Sequence, residues 1–565
     1  MKKVNVIIFH LIISLTAFAQ SPLLIPDYIS GSEVQLTLQE GEVELFQGHL
    51  TKSIGYNQNI LGPTLIFDKG QDVSIDVVNR LNEPTTVHWH GLHVSPKNDG
   101  GPHTIINPDH TWSPEFTILD EAATYWYHPH LHEHTEEQVT NGAAGFIIVR
   151  DADEAELELP RTYGVDDIPI VIQSRAFDSD NQFMTNTAAD NIILCNATID
   201  AFLDAPAQVV RLRLLNGSTE RLYNLGFSDD RNFFQIASDG GLLNEPVSMN
   251  RLVLVPGERA EILLDLSGDL GKSLTLISYG SELPNGYYGA SNPSVMPMGN
   301  IEGYSSNNLN GNDFEVLDIN VISPSEDAVL SIPGTLVNHI PYSEDDVDRT
   351  RSLVFSPGQM GPHGMVNGPF SINNQSFDLN VINEEVLFEN TEIWELRNMT
   401  AIAHPFHIHD VQFYILDING SIPSASMRGR KDVVIVPPMG GTVRIIMRFD
   451  DFADIETPYM YHCHMLSHED DGMMGQFLVL PLTTNEINLD PSIVTCSPNP
   501  ATNFMRITGA PQANLKIYDI RGNMVRDESR IREGQEININ NLEQGIYILT
   551  IESDKFKNSL KLMKL

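Results

Sequence analysis

At 565 residues the chain exceeds what a single hydrophobic core organises, so several domains are expected. Hydrophobic residues make up 41 % and charged residues 19 %, a globular balance that excludes an extended disordered chain. A formal net charge of −41 repels phosphate backbones and argues against nucleic acid as a partner.

In chain order, residues 1–19 read as an export signal. Lys2 and Lys3 precede a mostly apolar run from Val4 to Ala17, and Ala17-Phe18-Ala19 offers small residues before Gln20. That run is short for a permanent anchor, and no later stretch is long enough for a transmembrane helix. Beyond it, short apolar runs such as Val73–Val78, Val209–Leu215 and Val443–Met447 are bounded by turn residues, which predicts strands. Forty Gly and 33 Pro punctuate them, and no long amphipathic helix stands out. The pattern predicts an all-β protein built of β-sandwiches. Breaks fall near Pro160–Asp167, at Ser323–Asp348 and after Pro481. From Asn499 to Leu565 the charge is +2, against −43 for the rest, which suggests a separate module. The cysteines Cys195, Cys463 and Cys496 are too few for a disulfide framework, and Cys195 and Cys496 are expected to be unpaired.

The chemistry sits in histidine. Of nineteen, ten fall into four clusters: His88-Trp89-His90, His128-Pro129-His130, His404-Pro405-Phe406-His407-Ile408-His409, and His462-Cys463-His464 followed by His468. In a strand, residues i and i+2 share a face, so each H-x-H presents two imidazoles side by side. Four such pairs suffice to enclose three metal ions where two domains face each other. Imidazole suits copper, and copper handles one-electron and O2 chemistry. Cys463 then points to the opposite face, where His404 and His468 would complete a His2Cys electron-transfer site with Met473 as weak axial ligand. His93, His132 and His134 lie beside the clusters and read as exposed or supporting residues. Met360, His363 and Met365 fall in a short Gly/Pro-rich loop, read chiefly as surface, with copper feeding as the alternative.

The motifs H-W-H-G, Y-H-P-H, H-P-F-H-I-H and H-C-H-M-L-S-H-E-D-D-G-M-M resemble the four copper motifs of the multicopper oxidases, bacterial copper-efflux oxidases, laccases and bilirubin oxidases above all. The likeness runs from Pro22 to Pro481. It implies three cupredoxin-like Greek-key β-sandwiches at 20–155, 160–323 and 349–483, with a linker at 324–348. It also implies four copper ions. His88 and His407 would hold type 2; His90, His128, His130, His409, His462 and His464 the type 3 pair; Cys463, His404, His468 and Met473 type 1. Asp99 and Glu469 match proton-relay positions, with orientation of the ligating histidines as the alternative. The activity implied is oxidation of a small reducing substrate, a phenol, Cu(I) or another metal ion, coupled to reduction of O2 to water. A copper-buffering protein and a copper nitrite reductase are the competing readings. The tail, with Ser497-Pro498-Asn499-Pro500-Ala501, Leu515–Asp519 and Gly545–Leu549, resembles the sorting domains of the Bacteroidetes type IX secretion system. That likeness implies a small β-sandwich at 490–565, read by the export machinery. The protein would then pass through the periplasm to the cell surface or medium.

Overall fold

The computed structural model describes residues 20–296, 300–481 and 494–565, apart from 511, 520–522, 533 and 553–556. The expected signal at 1–19 lies outside the described residues. The chain divides into two compact units that part between residues 482 and 483.

Three β-sandwiches make up the larger unit. In the first, one sheet runs in the spatial order Tyr28–Ser30, Thr64–Asp68, Gly145–Arg150, Ala123–His128, His88–His90. It packs on a second sheet built around Glu33–Phe46 and Asp72–Asn79. The period-2 signal is literal there, with Val34, Leu36 and Leu38 buried in alternation with exposed Glu33 and Gln35 and half-buried Thr37. Leu36, Leu38, Leu65, Ile75, Val77 and Ile147 form its core.

The third sandwich repeats this arrangement. Its histidine-bearing sheet has the order Glu384–Leu387, Met474–Leu480, Asp454–Cys463, His404–Ile408, Val433–Val436. In both sheets a parallel pair is followed by an antiparallel strand that ends in the second histidine motif: Thr64–Asp68 with Gly145–Arg150 in one, Glu384–Leu387 with Met474–Leu480 in the other. The strand carrying the first motif then pairs with that one. The two halves of the site therefore stand on equivalent strands.

The second sandwich is centred on Asp167–Phe177, Val209–Asn216 and Arg259–Asp265. The first described strand, Ser21–Pro22, joins it by pairing with Ala201–Pro206, although sequence assigns those residues to the first domain. The segment 324–348 is no free tether either. Val329 and Leu336 are buried against Val209, Ile236, Leu242 and Leu263, and the Asn244 side chain bonds both the N–H and the carbonyl of His339.

The smaller unit is a β-sandwich of its own. Sheets Thr495–Ser497, Phe504–Thr508, Glu536–Asn538 and Met524–Glu528, Asn514–Asp519, Gly545–Glu552, Lys557–Lys564 enclose Met505, Ile507, Leu515, Ile517, Leu549 and Ile551. No helix among the described residues is long and apolar enough to cross a membrane. Cys195, Cys463 and Cys496 are all free thiols.

Candidate metal centre

Strand register explains how the histidines converge. His88 lies opposite His128 and His90 opposite Trp126, so both imidazoles of the first motif share a face with His128. In the third sandwich His407 lies opposite His462, and Phe406 opposite Cys463. His407 and His462 thus point one way, and Cys463 the other. All eight imidazoles are buried.

Their facing nitrogens form three groups. His90 Nδ1 lies 3.4 Å from His128 Nε2 and 3.3 Å from His464 Nε2. His462 Nε2 lies 3.2 Å from His130 Nε2 and 3.4 Å from His409 Nε2. His88, His407 and His409 make the third group. Two nitrogens each about 2.0–2.1 Å from one ion, at a tetrahedral angle, stand roughly 3.4 Å apart. The spacings match.

The opposite nitrogens decide which lone pair faces inward. His88 Nδ1–H donates to the Asp99 carbonyl at 3.0 Å, His128 Nδ1–H to that of Pro129 at 2.8 Å, and His407 Nδ1–H to that of Asp432 at 2.9 Å. His409 Nδ1 meets Asp99 Oδ2 at 2.7 Å. Fixing the proton on Nδ1 leaves Nε2 as a bare acceptor. His88 Nε2 and His407 Nε2 are fully buried and have no hydrogen-bond partner. An orphaned buried polar atom costs about 1–3 kcal/mol, which a cation between the two would remove. Burial also holds His407, His409, His90 and His128 well below the ordinary imidazole range, with neighbouring imidazoles adding to it, and pushes His464 down to about 3. Neutral rings are what a metal requires. These residues fit copper.

On the other face, Cys463 Sγ lies 3.4 Å from His404 Nδ1 and 3.7 Å from His468 Nδ1. Thr400 Oγ1 bonds His404 Nε2 at 2.9 Å, turning Nδ1 to the sulfur. Burial pushes the Cys463 thiol up, so a thiolate there needs a cation against it. Met473 is buried, with its N–H bonded to the His468 carbonyl at 2.8 Å and its own carbonyl accepting from Cys463 N–H at 3.0 Å. Met474 lies opposite His462 in register and so belongs to the imidazole face, which leaves Met473 on the sulfur side. His468 is the one member of this group that is partly exposed.

Both expected acids touch the imidazole groups. Asp99 reaches His409, and its Oδ1 lies 3.3 Å from His88 Nδ1. Glu469, 1 % exposed, sits 3.3 Å from His130 Nδ1 and 3.1 Å from His462 Nδ1. His93 pairs with Asp120 at 2.6 Å, His132 packs on Phe377, and neither they nor His134 join a metal-like group among the described residues. Met360, His363 and Met365 do not act as a set: Met365 is buried in the third core while Met360 is 88 % exposed.

Sequence reasoning missed Asp432, whose carboxylate takes His90 Nε2–H at 3.0 Å, and Arg259, which grips that carboxylate from 173 residues away. Their only signal is a charge at the edge of an apolar run, Asp432 before Val433-Val434, and such a charge says nothing of its partner.

Multicopper oxidase family profiles match residues 37–154 and 347–482, and a secretion-system C-terminal sorting-domain profile matches 496–564. A multicopper oxidase of Staphylococcus haemolyticus is 34 % identical over 453 residues, covering 79 % of this chain and 88 % of the relative. The chain belongs to the multicopper oxidase family. The cell division protein FtsP of Escherichia coli is 31 % identical over 475 residues, covering 82 % of this chain and 93 % of that one. A laccase-like multicopper oxidase, CueO, from Ochrobactrum sp. superposes with a TM-score of 0.71 at 32 % identity, covering 81 % of this chain and all of that one. Beyond the second oxidase match, this chain carries the sorting-domain match at residues 496–564.

Proposed function

We propose that this protein is an exported oxidase that withdraws single electrons from a small reducing donor and delivers four of them to O2, forming water. The observation that carries the reading is the buried pair of partnerless nitrogens, His88 Nε2 and His407 Nε2, beside two further imidazole triads. His88 and His407 would hold a type 2 copper, and His90, His128 and His464 with His130, His409 and His462 the type 3 pair. Cys463, His404, His468 and Met473 would hold type 1. Copper bound in these positions supplies one-electron transfer at the sulfur site and O2 reduction at the imidazole site.

The chain's own residues do the rest. His468 offers an accessible edge to a donor. Cys463 is joined by peptide bonds to His462 and His464, so one tripeptide links the two centres covalently. Water formation consumes protons, and Asp99 and Glu469 are carboxylates that meet outer nitrogens of the imidazoles and, among the described residues, are free of a buried arginine partner. The same contacts orient those rings, so each acid holds a ligand and a proton at one place.

Phenols are the donor class to expect, since they need only reach the partly exposed His468. The Ochrobactrum relative is described as acting on lignin model compounds and lignosulfonate. Cu(I) oxidation remains part of the reading, with Met360 and His363 as the exposed soft donors. The sorting-domain match supports passage through type IX machinery to the surface or medium.

The FtsP relatives favour a second reading, a cupredoxin scaffold without turnover. A scaffold has no use for a full set of metal-facing donors. Cys463→Ser separates the two. In the copper-loaded variant the blue absorption and donor turnover should vanish while the imidazole-bound copper stays. Turnover at the wild-type rate would refute the electron path, and a fully copper-loaded wild-type protein without turnover would favour the scaffold.

A further inference from the structure

The second sandwich contributes no histidine to the three imidazole groups or the sulfur site, yet one of its turns reaches them. In Val255-Pro256-Gly257-Glu258-Arg259, Gly257 adopts φ +80 and lies flat against His464. A Cβ at this position would stand 2.8 Å from three ring atoms, Cδ2, Cε1 and Nε2. Only glycine permits both the backbone conformation and that approach.

Two residues on, Arg259 is buried and spends all five of its donors. Nε donates to the Thr124 carbonyl at 3.1 Å, Nη1 to the Gly257 carbonyl at 3.1 Å, and Nη2 to that of Asp239 at 3.0 Å. The remaining two form a fork on Asp432, to Oδ1 and Oδ2, each at 2.6 Å. One guanidinium thus ties a strand of the first sandwich, a turn of the second and the edge of the histidine-bearing sheet of the third.

Asp432 passes this constraint to the histidines. Oδ1 accepts His90 Nε2–H at 3.0 Å, and its main-chain carbonyl accepts His407 Nδ1–H at 2.9 Å. His90 is the imidazole that presents Nδ1 to its neighbours, at 3.3 and 3.4 Å. It therefore needs the opposite tautomer from His88, His128, His407 and His409, with its proton on Nε2. A carboxylate at Nε2 selects that tautomer. Lys431 cannot replace the fork, because its ammonium is already taken by Asp239 at 3.0 Å and Glu258 at 2.6 Å.

We propose that Gly257, Arg259 and Asp432 form a positioning device in which the second sandwich sets the tautomer of His90 and the ring plane of His464. The device rests on the reading of the imidazole groups as a copper cluster. Arg259 and Asp432 touch no reacting atom and act through His90.

Arg259→Lys keeps the charge and removes the fork, whereas Asp432→Asn keeps the volume and turns an amide N–H2 toward a donor. In copper-loaded protein, both variants should keep the blue absorption of the Cys463 site, which reports an intact fold. Copper affinity at the imidazole cluster should fall about 10- to 100-fold, with loss of the near-ultraviolet band of the coupled pair. The KM for O2 should rise while the KM for the donor stays put. In copper-free protein, 15N-histidine spectra should show His90 protonated at Nε2, and Asp432→Asn should abolish that preference. If Arg259→Lys fails to fold, Asp432→Asn decides the question alone. Wild-type copper affinity, near-ultraviolet band and His90 tautomer in Asp432→Asn would overturn the inference. A wild-type protein with the Nε2–H tautomer that nonetheless takes up no copper would count against the copper reading instead.

Discussion

At the scale of single residues, Glu469 is the sharpest test of proton supply. Its two oxygens approach His130 and His462, which belong to different sandwiches, and no hydrogen bond satisfies either oxygen. Glu469→Gln should leave reduction of the blue site by donor unchanged and slow its reoxidation by O2 about 100-fold or more, as measured by stopped-flow absorbance. Reoxidation at the wild-type rate would reduce Glu469 to a residue that merely orients rings. The convergence of the paired histidines was legible in the sequence because they recur at i and i+2, the one spacing that a strand turns directly into shared direction. Thr400, Arg259 and Asp432 were not. Their roles depend on contacts between segments that no local period links, and an isolated Arg or Asp carries no mark of burial.

At the scale of elements, the site is two equivalent strand pairs brought face to face, and the second sandwich locks to the first through buried charge. Arg211 and Arg213 lie on Val209–Asn216, which runs parallel to Asp167–Phe177. Arg213 pairs with Asp167 at 2.6 Å and Glu261 at 2.7 Å, and Glu261 also accepts from Thr124 of the first sandwich at 2.7 Å. Every charged member of this set is almost wholly buried. Arg213→Met would leave Asp167 with Arg150 alone and Glu261 with Arg211 alone, so unfolding by urea should show a loss of about 1–3 kcal/mol. A loss under about 1 kcal/mol would mean that solvent reaches the carboxylates. Sequence patterning found the strand at 209–215 but not this lock: Arg211 and Arg213 alternate with Leu212 and Leu214 as an exposed polar face would, and they are buried because a second domain covers that face.

For the whole molecule, the shift in charge balance near Pro481 marked a real division, since the chain parts into two compact units there, each with its own core. All donor residues lie in the larger unit. A chain ending at Pro481 should therefore fold, bind copper and turn over donor as the full-length protein does, yet remain in the periplasm of its native host. Fractionation and immunoblotting would read this, and a truncated chain found at the cell surface or in the medium would remove the sorting role from the tail. Course and register were harder to anticipate at this scale. Ser21–Pro22 joins the second sandwich before the chain builds the first, and residues 324–348 pack along the second, because apolar side chains such as Val329 and Leu336 found cover there.

The central claim, that the two metal-binding faces work together to reduce O2 to water, is tested most directly by stoichiometry. Copper-loaded protein is supplied with a one-electron phenolic donor in a closed oxygen-electrode cell, and donor oxidised is counted against O2 consumed, with peroxide measured alongside. The account predicts four donor molecules oxidised per O2 and no peroxide released. Two donors per O2 with peroxide accumulating, or no oxygen uptake at all, would contradict it.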